Sequence, residues 1–314
     1  MFCSQIYPSD FEAMFRLGKD GLAESLRRQL QETDTGYRWA EPDDLEEYSN
    51  IFEQRIAASS NQRSQSETLA AFEKGWGENL RAIKDHGIST NSLKPGYFRG
   101  NKFLRYGKGL IVTANLQLEF ELFDIARRLL FAKYLSGQTC IWELGAGNCQ
   151  NIFTLAQMFP EASLHACDWT RSSLQIASYL AAKLGRDISA SLLDLRQCRK
   201  APAIPENSAL ISIHAFEQLG SEFEQALDYV RLSRPAIVLQ YEPVLEFYDT
   251  DNPLDELALR YCRSRGYLEG YYSRLLELEN EGALKILAAF RPGLGGVLHE
   301  SSLLVWQPVK GDVA

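Results

Sequence analysis

No stretch of this chain approaches the roughly eighteen uninterrupted apolar residues of a membrane-spanning helix. Its opening residues, MFCSQIYPSDFEAMF, lack the basic start and apolar block of a signal peptide, so a soluble cytoplasmic protein with no membrane partner is expected. The six cysteines include no CxxC pair, and Cys140, Cys149 and Cys167 fall in or beside predicted core strands. That pattern predicts buried free thiols in place of a disulfide frame, and no metal site is expected. Positive charge is also short: 33 lysines and arginines against 41 aspartates and glutamates leave a net charge of −8. A duplex or tRNA partner normally needs a basic footprint, so nucleic acid is disfavoured, although Arg99, Lys102, Arg105, Arg127 and Arg128 could form a local patch. What the 314 residues do have is a 45% hydrophobic content, enough for a substantial core in one large or two ordinary domains.

Residues 139–160, TCIWELGAGNCQNIFTLAQMFP, read as a strand, a tight turn and a helix. An apolar run carries Glu143 near its end, Gly145 and Gly147 bracket Ala146, and an amphipathic run follows. Glycine in such a turn permits positive φ and close approach of a ligand, and the helix N-terminus behind it offers free amides. A second strand, SLHACDW, ends at Asp168 twenty-five residues beyond Glu143, the spacing of one β-α-β unit. An acid at that tip is placed to accept hydrogen bonds from the two hydroxyls of a ribose. A third strand over 188–193 ends in Asp194. Ligands of doubly wound sheets bind outside the carboxyl ends of the strands, so Glu143, Asp168 and Asp194 are expected to face one crevice.

Over roughly residues 138–307 this pattern resembles the S-adenosylmethionine-dependent methyltransferases of the Rossmann-like class. ELGAGNC, from Glu143 to Cys149, is similar to that family's first motif. The resemblance implies S-adenosylmethionine as cofactor, lying over Glu143, Gly145, Ala146 and Gly147, with Asp168 and Trp169 at the ribose and Asp194 and Leu195 at the adenine. His214 is implied at the methyl end. Cys149 departs from the pattern, which often has a third glycine there. A dinucleotide is disfavoured because its fingerprint puts the third glycine where this chain has Gln150. The implied fold is α/β, a Rossmann-like seven-stranded mixed sheet with helices on both faces, preceded by a mainly helical N-terminal cap. The expected division is 1–114 for the cap and 115–314 for the methyltransferase domain.

Along the cap, Phe11, Met14, Phe15, Leu22, Leu26 and Leu30 recur at helical spacing and predict a helical pair broken near Gly18. Helices are predicted over 41–58, with Pro42 and acids in the first turn, and over 67–84, separated by a polar loop. Gly75, Trp76 and Gly77, and then LKPGYFRGNKFLR over 93–105, interrupt that texture. Such a mixture suits a segment over an active site, offering Tyr97, Arg99 and Arg105 to a polar or anionic substrate, with Trp76 and Phe98 as packing. A helix over 115–135 leads into the first strand of the sheet. Later strands are predicted over 208–214, 235–241, 283–290 and 301–307, with a long or broken helix over 254–281. By the resemblance, the last strand is inserted antiparallel.

The segment HAFEQLG, from His214 to Gly220, follows the fourth strand and, by the same resemblance, borders the transferable methyl group. A histidine titrates near neutrality and a carboxylate can orient it, so His214 and Glu217 are candidate catalytic groups, with Glu242 at the fifth strand end as a third. Gln218, Tyr241 and Tyr248 join Tyr97 and Arg105 as candidate substrate contacts. The expected function is methyl transfer to a small or medium polar acceptor, first the hydroxyl of a sugar-like or natural-product molecule. The alternatives are nitrogen methylation of an amine or guanidinium on a metabolite, peptide or protein, and a non-catalytic cofactor-binding partner subunit. A homodimer is left open.

Overall fold

The structure is a computed structural model that describes residues 4–19, 21–59, 64–98 and 100–309. Arg99 and most of the polar loop before residue 64 therefore lie outside the described residues. The N-terminal part runs α1 (Pro8–Met14), α2 (Glu24–Glu32), β1 (Tyr37–Trp39), α3 (Pro42–Ser59), α4 (Gln65–His86), β2 (Phe103–Tyr106) and β3 (Gly109–Thr113). Gly18 falls in the break between α1 and α2, as the sequence spacing predicts. The start of α4 is set by a capping box: Ser64 Oγ accepts from the Glu67 amide at 3.3 Å, and the Glu67 carboxylate takes the Ser64 amide at 2.8 Å. Gly75 and Gly77 do not interrupt α4, which continues through both.

The remainder runs α5 (Leu118–Tyr134), β4 (Cys140–Leu144), α6 (Gln150–Met158), β5 (Ser163–Asp168), α7 (Arg171–Leu184), β6 (Ile188–Leu192), β7 (Ala209–Ile213), α8 (Glu224–Leu232), β8 (Ile237–Glu242), α9 (Pro253–Arg265), α10 (Tyr271–Asn280), β9 (Leu284–Phe290), β10 (Leu294–Gly295) and β11 (Ser302–Pro308). The predicted helix over 254–281 is thus two, α9 and α10, parted at Gly266 in the left-handed conformation that glycine takes at little cost. Seven strands form one sheet in the order β6-β5-β4-β7-β8-β11-β9. The pairs from β6 through β8 are parallel, and β11 lies antiparallel between β8 and β9. Every residue of β7 is buried, as a strand covered on both faces requires.

The strand order turns around between β4 and β7, because the chain runs outward from β4 through β5 and β6 and then returns to β7. Ligand crevices of open α/β sheets form at such a reversal. The glycine turn follows β4 and His214 follows β7, so both stand at this point.

The cap is not all helix. A second sheet, in the order β1-β3-β2-β10, is antiparallel throughout and takes its last strand from the glycine-rich segment after β9, pairing Leu294 with Tyr106 and Gly295 with Arg105. The cap is therefore stitched to the C-terminal part of the chain. Cys149, Cys167 and Cys262 are buried free thiols, and Cys140 and Cys198 are half-buried and free.

Candidate functional site

In the turn after β4, Gly145 has φ +81° and Gly147 φ +51°. The Gly145 and Ala146 amides donate to the Cys167 carbonyl at 2.8 and 2.9 Å, which ties the turn to the end of β5. A methyl group on Gly145 would overlap Cβ of Ala215, next to His214. Cys149 itself takes φ +58°, the left-handed conformation in which the family pattern's glycine is at ease, and its thiol points back to Ser173. Cys149 thus holds the left-handed conformation without a glycine.

Asp168 is only 4% exposed and holds this turn together. Its Oδ2 accepts from the Gly147 amide at 2.8 Å, and its Oδ1 accepts from the Thr170 amide and hydroxyl at 2.8 and 2.6 Å. Burial raises its carboxyl above the usual range. Glu143 is fully buried behind the turn, and burial pushes its carboxyl up to about 8. Its Oε1 accepts from Asn151 Nδ2 at 2.5 Å, while Asn151 Oδ1 accepts from Arg127 at 3.1 Å. Three buried atoms of this cluster have no partner: Glu143 Oε2, Arg127 Nε and Gln150 Nε2.

Helix α4 roofs the turn. Trp76 packs on Gly147, where an added Cβ would lie 3.1 Å from the indole, and it stacks with Phe72 at 5.7 Å between ring centres. Phe72 in turn meets Trp169 at 6.1 Å. Glu73 accepts the Arg171 and Ser172 amides at 2.6 and 3.0 Å, placing a negative charge at the start of α7. Nearer its start, α4 offers Gln65 to Asp194 at 3.1 Å. Trp169, Leu193 and Asp194 line a separate hollow of about 440 Å³ beside this end of α4, and Leu195 is buried behind it.

A larger cavity of about 1110 Å³ runs from Gly145, Gly147 and Gln150 to the segment after β7. His214 (φ +56°) lines it, with Nδ1 2.9 Å from Glu217 Oε2 and Nε2 2.9 Å from Ser301 Oγ. Burial opposes the charged imidazolium, but the Glu217 carboxylate outweighs it and holds His214 above its ordinary value. With Glu217 accepting the Nδ1 proton, the Nε2 lone pair faces Ser301. Glu119 of α5 lies on the same cavity, its carboxyl pushed up to about 7 by burial.

Of the expected site residues, Gly145, Ala146, Gly147, His214, Glu217, Gln218, Tyr97 and Tyr241 line this one cavity. Others do not. Glu242 is fully buried beneath the His214 segment, where it accepts from Ser212 Oγ at 2.6 Å and from the Ala215, Phe216 and Glu217 amides at 3.1 to 3.2 Å. It shapes the loop that carries His214 and does not line this cavity. Arg105 is 2% exposed, bonded to Asp255, Glu300, the Leu254 carbonyl and Tyr48, and does not line this cavity. Tyr248 is likewise buried, its hydroxyl bridging the Glu300 amide and carbonyl at 2.9 and 3.0 Å. Ser301, Glu119, Asn151, Gln150 and Trp76 also line this cavity or border it, beyond the residues expected there. Only Trp76, flanked by two glycines, carried a local signal.

The strand order decides the class of fold. The chain has an α/β fold with a Rossmann-like seven-stranded mixed sheet, as the resemblance implies. No protein-family model and no curated protein matches it. Solved structures similar to it include the magnesium protoporphyrin IX methyltransferase of Synechocystis, 10% identical over 78% of this chain and 100% of that one, with a TM-score of 0.49. The pyocyanin biosynthetic protein PhzM is 14% identical over 62% of this chain and 57% of its own, with a TM-score of 0.46. The cyclase SpnF is 16% identical over 60% of this chain and 82% of its own, with a TM-score of 0.44. These likenesses concern the fold, and the activities named in them belong to those proteins.

Proposed function

We propose that this chain binds S-adenosylmethionine across the glycine turn and transfers its methyl group to a hydroxyl of a small or medium polar acceptor, with His214 as the base. The observation that carries this reading is the single cavity onto which the Gly145–Gly147 turn and the Ser301–His214–Glu217 chain of hydrogen bonds both open. The residues at the turn fit the cofactor. Two unpartnered buried donors, Arg127 Nε and Gln150 Nε2, and one unpartnered acceptor, Glu143 Oε2, match the carboxylate and ammonium of an amino-acid end. Asp168 Oδ2 has a single donor, Gly147, and so keeps a lone pair for a ribose hydroxyl. Trp169 and Asp194 line the hollow suited to the adenine, with Leu195 behind them.

When bound, the cofactor supplies an electrophilic methyl on a sulfonium. Displacement at such a methyl gains most from alignment, and a base is needed when the acceptor is protonated. Glu217 fixes the imidazole and stabilises its charge, Glu242 fixes Glu217 and its neighbours, and the proton of the acceptor passes to His214 at Nε2.

Calorimetry with S-adenosylmethionine and its demethylated product tests the cofactor assignment. Binding is expected to weaken at least about tenfold in Asp168→Ala, in line with the loss of a buried hydrogen bond to a charged group. Unchanged affinity in that variant would rule the assignment out. His214→Ala is expected to lower kcat by about a hundredfold or more, as removal of a general base does. Because the base works as the neutral imidazole, kcat/KM should rise with pH through a midpoint above the ordinary histidine value of 6.5. Glu217→Gln removes the charge that raises this value, so the midpoint should move down; a midpoint that stays in place would show that Glu217 does not act on His214.

A further inference from the structure

The acceptor end of the cavity is walled by rings. Phe98 and Phe123 lie 5.6 Å apart between ring centres, Phe123 stacks with Tyr241 at 5.9 Å, and Phe123 meets the His214 imidazole at 5.6 Å. His214 meets His299 at 5.7 Å, and His299 stacks on Tyr261 at 6.3 Å with 16° between the planes. Burial pushes His299 down to about 4, so at neutral pH this wall is an uncharged ring. The polar groups beside these rings are largely engaged with one another or with a ring: His214 with Ser301, Glu217 with His214 and Gln218, Arg127 over Phe123 and Arg265 over Tyr267, with Glu119 and His299 Nδ1 completing the lining.

We infer that the methyl acceptor is a flat aromatic molecule bearing an ionisable hydroxyl, with its ring against the Phe98–Phe123–Tyr241 wall and its oxygen at the Ser301–His214 pair. The inference rests on the proposed methyl transfer and narrows its acceptor from sugar-like molecules to phenols. A sugar carries a hydroxyl on nearly every carbon, and each one buried without a partner weakens binding. A phenol needs one polar partner and offers two ring faces to aromatic neighbours. The base chemistry points the same way. A phenol ionises near the tyrosine value of about 10, within reach of an imidazole, whereas an aliphatic hydroxyl is a far weaker acid. A cationic amine would need a standing anion at this end, but Glu217 is already paired with His214 and Glu119 holds its proton up to about pH 7. In the transfer, the phenol oxygen forms a bond to the methyl carbon as the carbon–sulfur bond breaks. The phenol proton goes to Ser301 Oγ as the Ser301 proton moves to His214 Nε2, and the sulfonium leaves as a neutral thioether.

The test uses 2-naphthol and methyl glucoside as probes on the whole protein, by calorimetry and by tryptophan fluorescence. One saturable 2-naphthol site per chain is expected, with methyl glucoside at least about tenfold weaker. Phe123→Leu keeps an apolar side chain but removes the ring face and should weaken 2-naphthol about tenfold. Should that variant fail to fold, Tyr97→Ala, on the exposed rim of the same wall, replaces it with the same expected direction. Absence of 2-naphthol binding, equal or tighter binding of the glucoside, or indifference to the ring variant would overturn the inference. Binding of S-adenosylhomocysteine without 2-naphthol would overturn it while leaving methyl transfer intact. Binding of 2-naphthol with no cofactor or product binding would remove methyl transfer and leave an aromatic ligand site.

Discussion

Gly145→Ala is expected to destabilise the protein by about 2–5 kcal/mol, combining the left-handed backbone penalty of a residue with a Cβ and an overpacked core contact. Gly145 has φ +81°, and its added methyl would overlap Ala215 Cβ at the base of the His214 segment. Neither side can give way easily, because the Ala215 amide is tied to Glu242 and the Gly145 amide to the Cys167 carbonyl. Gly137 is a built-in control. It has φ +80° with nothing within 4 Å of an added Cβ, so Gly137→Ala should cost only the backbone part, about 1–2 kcal/mol. Chemical denaturation of the two variants separates the effects. Equal losses would mean that the turn and the His214 segment are not in the close contact described. On the proposed function, the same contact predicts that Gly145→Ala displaces His214 as well as the glycine turn, so activity should fall further than stability alone accounts for.

Arg105→Met is expected to cost about 3–5 kcal/mol, the range for removing one partner of a buried ion pair and stranding the other. Arg105 Nε donates to Glu300 at 2.9 Å, and its remaining nitrogens reach Asp255, the Leu254 carbonyl at 2.8 Å and Tyr48 at 3.4 Å. Arg291 shares the load, donating to Asp255 at 2.6 Å, yet it cannot fill the space or the bonds of a second guanidinium. Lys102→Met supplies the contrast. Its pair with Glu47 at 2.6 Å is largely exposed, and such pairs are worth less than about 1 kcal/mol. A loss in Arg105→Met no larger than in Lys102→Met would show that the cluster does not hold the cap. Because Glu300 precedes Ser301 and β2 pairs with β10, loosening this cluster should also free Ser301 from His214. The effect on catalysis would then arise without any contact between Arg105 and a substrate.

Much of the fold was legible because its signals are local. Short apolar runs placed all seven strands of the large sheet within a few residues, and Gly145 and Gly147 marked the turn that follows the first of them. The small sheet of the cap was not legible. Its strands are two to five residues long, too short for a period to show, and β10 comes from a glycine-rich stretch that reads as a loop. Side-chain direction was the other gap. Arg105 and Glu242 look like site residues by type and position, but whether a charge faces a cavity or the core depends on what packs beside it.

The sequence by itself determined the succession of strands and helices around the large sheet, the glycine turn and the acids at the strand tips, since each depends on residues within one turn or one strand. Tertiary structure alone decided which of those groups meet. Arg105 lies 150 and 195 residues from its partners Asp255 and Glu300, and Ser301 lies 87 residues from His214. Ion pairs and hydrogen bonds over such separations leave no mark in local spacing, because the energy that fixes them comes from burial and exists only once the chain has closed around them.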